Sequence, residues 1–298
     1  MQIAHISDPH FGTEQLPQLQ AMEKSLRQSA PDLVVISGDL TQRARKDQYQ
    51  AARAFFDRLG LPILVVPGNH DIPLYNVFAR LLHPYRGYQR HFGGQLDTRF
   101  VKDNVEIIGL TSAQWWRHKD GEVDIKALRQ KLSEENPANQ EAESQPRLRL
   151  AVFHHPLDCK RKQDEVNIIR NADEVLHTMI DCKIDAVLGG HIHDPLMRTS
   201  AHRYPRQPAP MLFVLAGTCI SHRVRIGAPN SFNYLRLRPE KSQIETVRMD
   251  WNKDAKSFFE KEVRHFERGG TGWFESAQAV HVRDIHETPK HPVSDLII

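Results

Sequence analysis

Five times along this chain a short apolar run of the kind that forms a strand stops at His, Asp or Asn. Gln2 to Ser7 gives way to Asp8-Pro9-His10, and DLVVIS (32–37) to Gly38-Asp39. LPILVV (61–66) leads into Pro67-Gly68-Asn69-His70-Asp71, and LRLAVF (148–153) into His154-His155-Pro156. The fifth run, Asp185 to Leu188, ends in Gly189-Gly190-His191-Ile192-His193. Continuous apolar runs bounded by turn residues suit strands buried on both faces. Helical patterns lie between them: residues 44–59 place Tyr49, Ala52, Phe55, Phe56 and Leu59 on one stripe, and 124–132 and 173–182 have a similar spacing. Alternating strands and helices predict a layered α/β fold, in which ligands gather where loops leave the carboxyl ends of the strands.

The residues at those ends are oxygen and imidazole donors without thiolate, a set suited to Zn, Mn, Fe or Co. Seven such donors exceed the three or four of one tetrahedral zinc site, yet they suffice for two metals if one carboxylate bridges. Pairs two residues apart, Asp8 with His10 and His191 with His193, lie on one face of an extended segment and can aim at one locus. Paired metals clamp both the attacking and the leaving oxygen of a phosphoryl transfer, and lower the pKa of bound water. That makes a protein nucleophile unnecessary. No G-x-S-x-G, Walker-type or dinucleotide-type glycine loop is present in the sequence.

The blocks DPH, GD, GNHD, HH and GHIH, in this order between Asp8 and His193, resemble the calcineurin-like metallophosphoesterases, most closely their bacterial class III, cyclic-nucleotide-phosphodiesterase-like branch. Pro9 departs from the residues usual between the first two ligands. The resemblance implies a four-layer αββα sandwich of two mixed β-sheets flanked by helices. It assigns Asp8, His10, Asp39 and His193 to one metal ion (Mn, Fe or Zn). Asp39 and a hydroxide bridge to a second ion, held also by Asn69, His154 and His191. By the same pattern His70 stabilises transition-state charge and protonates the leaving alkoxide, and Asp71 is expected to orient its ring. The implied activity is hydrolysis of a small phosphodiester, of cyclic-nucleotide or glycerophosphodiester type. The alternatives are a phosphomonoesterase, a nucleotide or lipid-sugar pyrophosphatase, and a non-catalytic scaffold.

Substrate contacts are expected from Arg43, just after Asp39, from His155, and from His222, which with Arg223 follows the run 211–217. Arg45, Tyr75, Asn76 and the Trp115-Trp116 pair are further rim or packing candidates. The runs 211–217, 232–237 and 244–249 read as strands of a second sheet. Residues 1–250 are expected to form the catalytic domain, and 251–298 an extension packing on it or at an oligomer interface, with a homodimer as a candidate assembly. Residues 133–147 read as a flexible loop, 199–210 as an extended excursion, and the last 15 residues as poorly ordered.

Of 298 residues, 40 % are hydrophobic and the formal net charge is only +3, with no concentrated basic stripe. A nucleic-acid polymer is therefore not an expected partner. Three unpatterned cysteines argue against a disulfide framework. The opening residues lack a secretory pattern, and no apolar run approaches a membrane span. The expectation is a cytoplasmic protein without a membrane partner, acting on a small phosphorylated substrate.

Overall fold

A computed structural model describes residues 1–134, 147–276 and 281–282. The loop expected at 133–147 and the final 15 residues lie almost entirely outside them. The first sheet begins with three parallel strands, β1 (Gln2–Ile6), β2 (Leu33–Ser37) and β3 (Ile63–Val66). These are joined by the helices α1 (Leu16–Ser29) and α2 (Lys46–Leu59). After α3 (Val77–Leu82) and α4 (Arg86–Phe92) the chain enters the second sheet through β4 (Thr98–Lys102) and β5 (Val105–Gly109). It continues through α5 (Ile125–Ser133), β6 (Leu148–Val152), α6 (Ala172–Asp181), β7 (Ala186–Gly189), β8 (Leu196–Thr199) and β9 (Leu212–Leu215). The order across this sheet is β4-β5-β6-β7-β9-β8, with β5, β6, β7 and β9 parallel.

The chain then returns to the first sheet with β10 (Ser231–Arg238), β11 (Gln243–Asn252), β12 (Ser257–Gly269), β13 (Gly272–Glu275) and the short β14 (His281–Val282). Its order is β13-β12-β11-β10-β1-β2-β3, with β14 paired to β12. The segments 232–237 and 244–249 thus complete the first sheet, whereas 211–217 joins the second. The boundary expected at 250 falls inside β11, and Phe266 and Trp273 beyond it are buried between the sheets.

Strand periodicity explains the four layers. In β1 and β2, Ile3, Leu33 and Val35 face the second sheet, meeting Leu150, Val152, Leu188 and Val214. Their neighbours Ala4, Ile6, Val34 and Ile36 face Met22 and Leu26 of α1 and Tyr49, Phe55 and Phe56 of α2. On the far side, Ala151, Val187 and Phe213 pack under Leu128 of α5 and Val175, Leu176 and Met179 of α6. Both faces of each central strand are buried, so the strands read as unbroken apolar runs. No helix among the described residues is long and apolar enough to cross a membrane.

Candidate metal centre

The carboxyl ends of β1, β2, β3, β6 and β7 converge, and their terminal residues form two contiguous donor groups. In the first, His193 Nε2 lies 3.1 Å from Asp8 Oδ1 and 3.3 Å from His10 Nε2. His10 Nε2 is in turn 3.7 Å from Asp39 Oδ2. In the second, His154 Nε2 lies 3.3 Å from Asp39 Oδ1, 3.2 Å from Asn69 Oδ1 and 3.3 Å from His191 Nδ1. Asp39 therefore offers one oxygen to each group.

This spacing fits metal ions. Adjacent ligand atoms of a tetrahedron with bonds of about 2.1 Å are about 3.4 Å apart. Facing imidazole nitrogens at that distance need a proton or a cation between them. In His154 and His193 the remote nitrogens are held so that the facing ones present lone pairs, whereas Nδ1 of His10 is buried without a partner among the described residues. His154 Nδ1 donates to Ser37 O at 2.8 Å, and His193 Nδ1 to Arg223 O at 2.6 Å. Such carbonyl partners fix the tautomer of a ligating histidine.

The backbone is bent to make this possible. Asp8, His10, Asp39, His191 and His193 all adopt positive φ, between 45° and 69°. This left-handed region is sparsely used outside glycine, though Asp and His tolerate it better than most, and such strain concentrates at functional sites. Gly38 also has positive φ, and Gly190 is pressed against the centre: a Cβ there would lie 2.5 Å from Asp8 Oδ2.

Electrostatics divides the histidines. Burial pushes His10 down to about 3, and burial, helped by His154, does the same to His155. For His154 burial is outweighed by the Asp39 charge and hydrogen bond and by Asp8, raising it to about 9; His193 is raised by Asp8 against the same burial. In the metal-free protein the second group thus retains a proton at neutral pH on His154, which must be neutral to ligate. The affinity of that group for its ion is accordingly expected to fall about tenfold per pH unit from about pH 8 to about pH 6. Titration calorimetry in buffers of different ionisation enthalpy checks this, and a pH-independent affinity would contradict it.

Three expectations are revised. Asp71 is buried, and its carboxylate accepts from the amides of Leu40, Thr41 and Gly68 and from Thr41 Oγ1 at 2.9–3.0 Å. It ties the turn after β2 to the turn after β3, and does not orient the His70 ring. That role falls to Gln42, whose carbonyl accepts from His70 Nδ1 at 2.8 Å. His155 has no nitrogen left for a substrate: Ser112 Oγ donates to Nδ1 at 2.9 Å and Nε2 donates to Lys119 O at 3.0 Å. Its ring backs His191, centroids 4.4 Å apart.

His222 is exposed, whereas its neighbour Arg223 points inward, with Nη1 3.0 Å from His70 Nε2 and 3.2 Å from Gln42 Oε1. Arg43 is exposed at the rim, where it hydrogen-bonds Tyr75 and stacks on that ring at 5.0 Å. Asn76 caps α3 through Ala79 N, and Trp115 packs edge-on against Trp116. The contributions of Gln42 and Ser112 carried no sequence signal. For Arg223 the only signal was its place after a strand of the parallel set.

Two sheets packed face to face between helices, with His, Asp and Asn gathered at the ends of their parallel strands, define a metal-dependent phosphoester hydrolase. The chain belongs to the calcineurin-like phosphoesterase family, whose family model matches residues 1–195. Proteins of this family use divalent metal ions. A probable cyclic nucleotide phosphodiesterase from Synechococcus is 27 % identical over 215 residues, covering 66 % of this chain and 75 % of that protein. The glycerophosphodiester phosphodiesterase GpdQ from Enterobacter lignolyticus is 36 % identical over 87 residues, or 24 % of this chain and 30 % of that one. Among solved structures, a yellow lupin purple acid phosphatase shares the fold with a TM-score of 0.63 at 12 % identity, over 87 % of this chain and 52 % of the other. A dimetal phosphatase from Danio rerio gives 0.56 at 13 % identity, over 83 % and 95 %.

Proposed function

We propose that this enzyme is a two-metal phosphodiesterase for small diesters, of cyclic-nucleotide or glycerophosphodiester type. The observation that carries this reading is the Asp39 carboxylate, whose two oxygens face two separate donor groups. Asp8, His10, Asp39 and His193 would hold one ion, and Asp39, Asn69, His154 and His191 the other. A metal pair bound there supplies Lewis-acid charge and a water of lowered pKa. The names of the Synechococcus and Enterobacter relatives, both phosphodiesterases, support the substrate class.

The chain's own residues supply orientation and charge. His70 Nδ1–H donates to the Gln42 carbonyl, which leaves Nε2 without a proton, and Arg223 Nη1 lies over the ring, 3.0 Å from Nε2 and 3.4 Å from Nδ1. A proton taken up at Nε2 makes the ring a donor to a leaving alkoxide while the Gln42 bond persists. Among the described residues no carboxylate pairs with Arg223, unlike Arg225 in the same loop, which is bonded to Asp164. The Arg223 charge is thus available to the non-bridging phosphate oxygens.

Arg223→Ala is expected to lower kcat/KM on the order of a hundredfold. Metal content should stay at the parental level, because His193 is held by the backbone carbonyl of residue 223 and not by its side chain. Loss of metal, or unchanged kinetics, would remove Arg223 from this role. The diester reading itself is tested on chelator-stripped, Mn-reloaded enzyme with bis(p-nitrophenyl) phosphate and p-nitrophenyl phosphate. Preference for the diester is expected, and preference for the monoester would make it a phosphatase.

A further inference from the structure

Beyond the metal centre, the segment after GNHD leaves an apolar helix without a partner. No residue of α3 is buried. Tyr75, Val77, Phe78, Leu81 and Leu82 are 53–79 % exposed, and they make up five of the eleven large apolar side chains exposed among the described residues. Concentrations of this kind mark interaction surfaces, whereas singly scattered apolar residues do not. Beside the helix is a cavity of about 430 Å³, whose lining includes Phe78 and Leu82 together with Lys46, Arg86 and Arg90. All three cations are exposed, and none of them pairs with a carboxylate among the described residues. From Ile72 to Leu96 the sequence contains three arginines, two histidines and no Asp or Glu. Arg80 alone of these arginines is turned inward, donating to Pro73 O and Arg117 O, which secures the helix to the loop bearing the half-exposed Trp116.

We propose that this α3–α4 face docks on an anionic lipid bilayer, with the α3 side chains entering the interface and Lys46, Arg86 and Arg90 meeting the headgroups. An exposed apolar helix rimmed by cations is the chemistry that binds such surfaces, and interfacial aromatics such as Tyr75 and Trp116 suit the headgroup level. A second copy of the chain is a poorer occupant. In a two-fold interface the patch faces itself, which brings the rim cations, none of them in an ion pair among the described residues, toward one another. The face adjoins the catalytic end of the molecule: Tyr49, which also lines the cavity, donates to Asp71 O at 2.6 Å, one residue from His70. Docking therefore replaces the expectation of no membrane partner and brings the metal centre to the lipid surface.

The full-length, manganese-loaded protein is sedimented with vesicles rich in phosphatidylglycerol and with vesicles of phosphatidylcholine alone, at low and high salt. The parent should partition onto the anionic vesicles at low salt and release at high salt. Arg86→Gln and Arg90→Gln should each weaken partition about fivefold, and the pair Phe78→Ser with Leu82→Ser on the order of tenfold or more. All these variants should keep parental turnover of bis(p-nitrophenyl) phosphate, which shows that they fold and keeps this test separate from the phosphodiesterase reading. Three results would overturn the proposal. One is no partition of the parent; another is partition undiminished in the variants. The third is a lipid-free dimer, seen by analytical ultracentrifugation, that the Phe78/Leu82 variant converts to monomer.

Discussion

Asp39→Asn is expected to reduce turnover on the order of a thousandfold and to lower bound metal from the proposed two ions per chain to one or fewer. The carboxylate does three things at once. Oδ2 faces His10, Oδ1 faces His154, and Oδ1 also accepts from His70 N at 2.9 Å. An amide keeps one acceptor oxygen and loses both the second ligand atom and the charge. Lewis-acid stabilisation by a metal is worth several kcal/mol, and each 1.36 kcal/mol lost from it is a factor of ten in rate. Neutralising Asp39 also removes the main charge that raises His154, so the metal-free variant should take up fewer protons at the centre. The check is metal analysis by mass spectrometry after dialysis, alongside kcat and far-UV circular dichroism. Two retained ions with parental turnover would show that Asp39 is not shared.

His70→Ala should separate chemistry from metal binding. No donor group described above depends on its imidazole, which instead meets Gln42 O and Arg223. Metal content should therefore stay near the parental value while kcat falls, on the order of a hundred- to a thousandfold for an alkyl diester such as glycerophosphocholine. The loss should be much smaller for bis(p-nitrophenyl) phosphate, because p-nitrophenolate leaves without protonation. Equal losses on both substrates would assign His70 to charge stabilisation alone, and loss of metal would place it among the ligands.

How far the sequence could be read depends on what carried each signal. The central strands were legible because burial on both faces makes Leu33–Ser37 and Leu148–Val152 continuously apolar, and because metal-binding residue types are rare at the ends of as many as five strands. Helix α1 was missed: it buries Met22 and Leu26 on an otherwise polar surface, and so gives only a weak periodic signal. The extent of the strand in 251–298 was hard to read because β12 is half-buried along nearly all its length, which blurs the alternation that would mark it as a long strand. Within the centre, residue types could be read but partners could not. Gln42 and Ser37 act through backbone carbonyls, which no residue type signals, and Arg223 approaches His70 from 153 positions away. Asp71 shows the converse. Its place beside His70 suggested an orienting carboxylate, yet the unbonded amides of two adjacent turns were the stronger claim on it.

The central claim is that one carboxylate serves two metal ions and that turnover needs both. Its most direct test is to titrate Mn²⁺ into chelator-stripped enzyme, measuring bound metal by equilibrium dialysis and hydrolysis of bis(p-nitrophenyl) phosphate in the same samples. Activity that stays low through the first equivalent and rises with the second, reaching a plateau at two ions per chain, is the predicted result. Full activity at one bound ion per chain would contradict it.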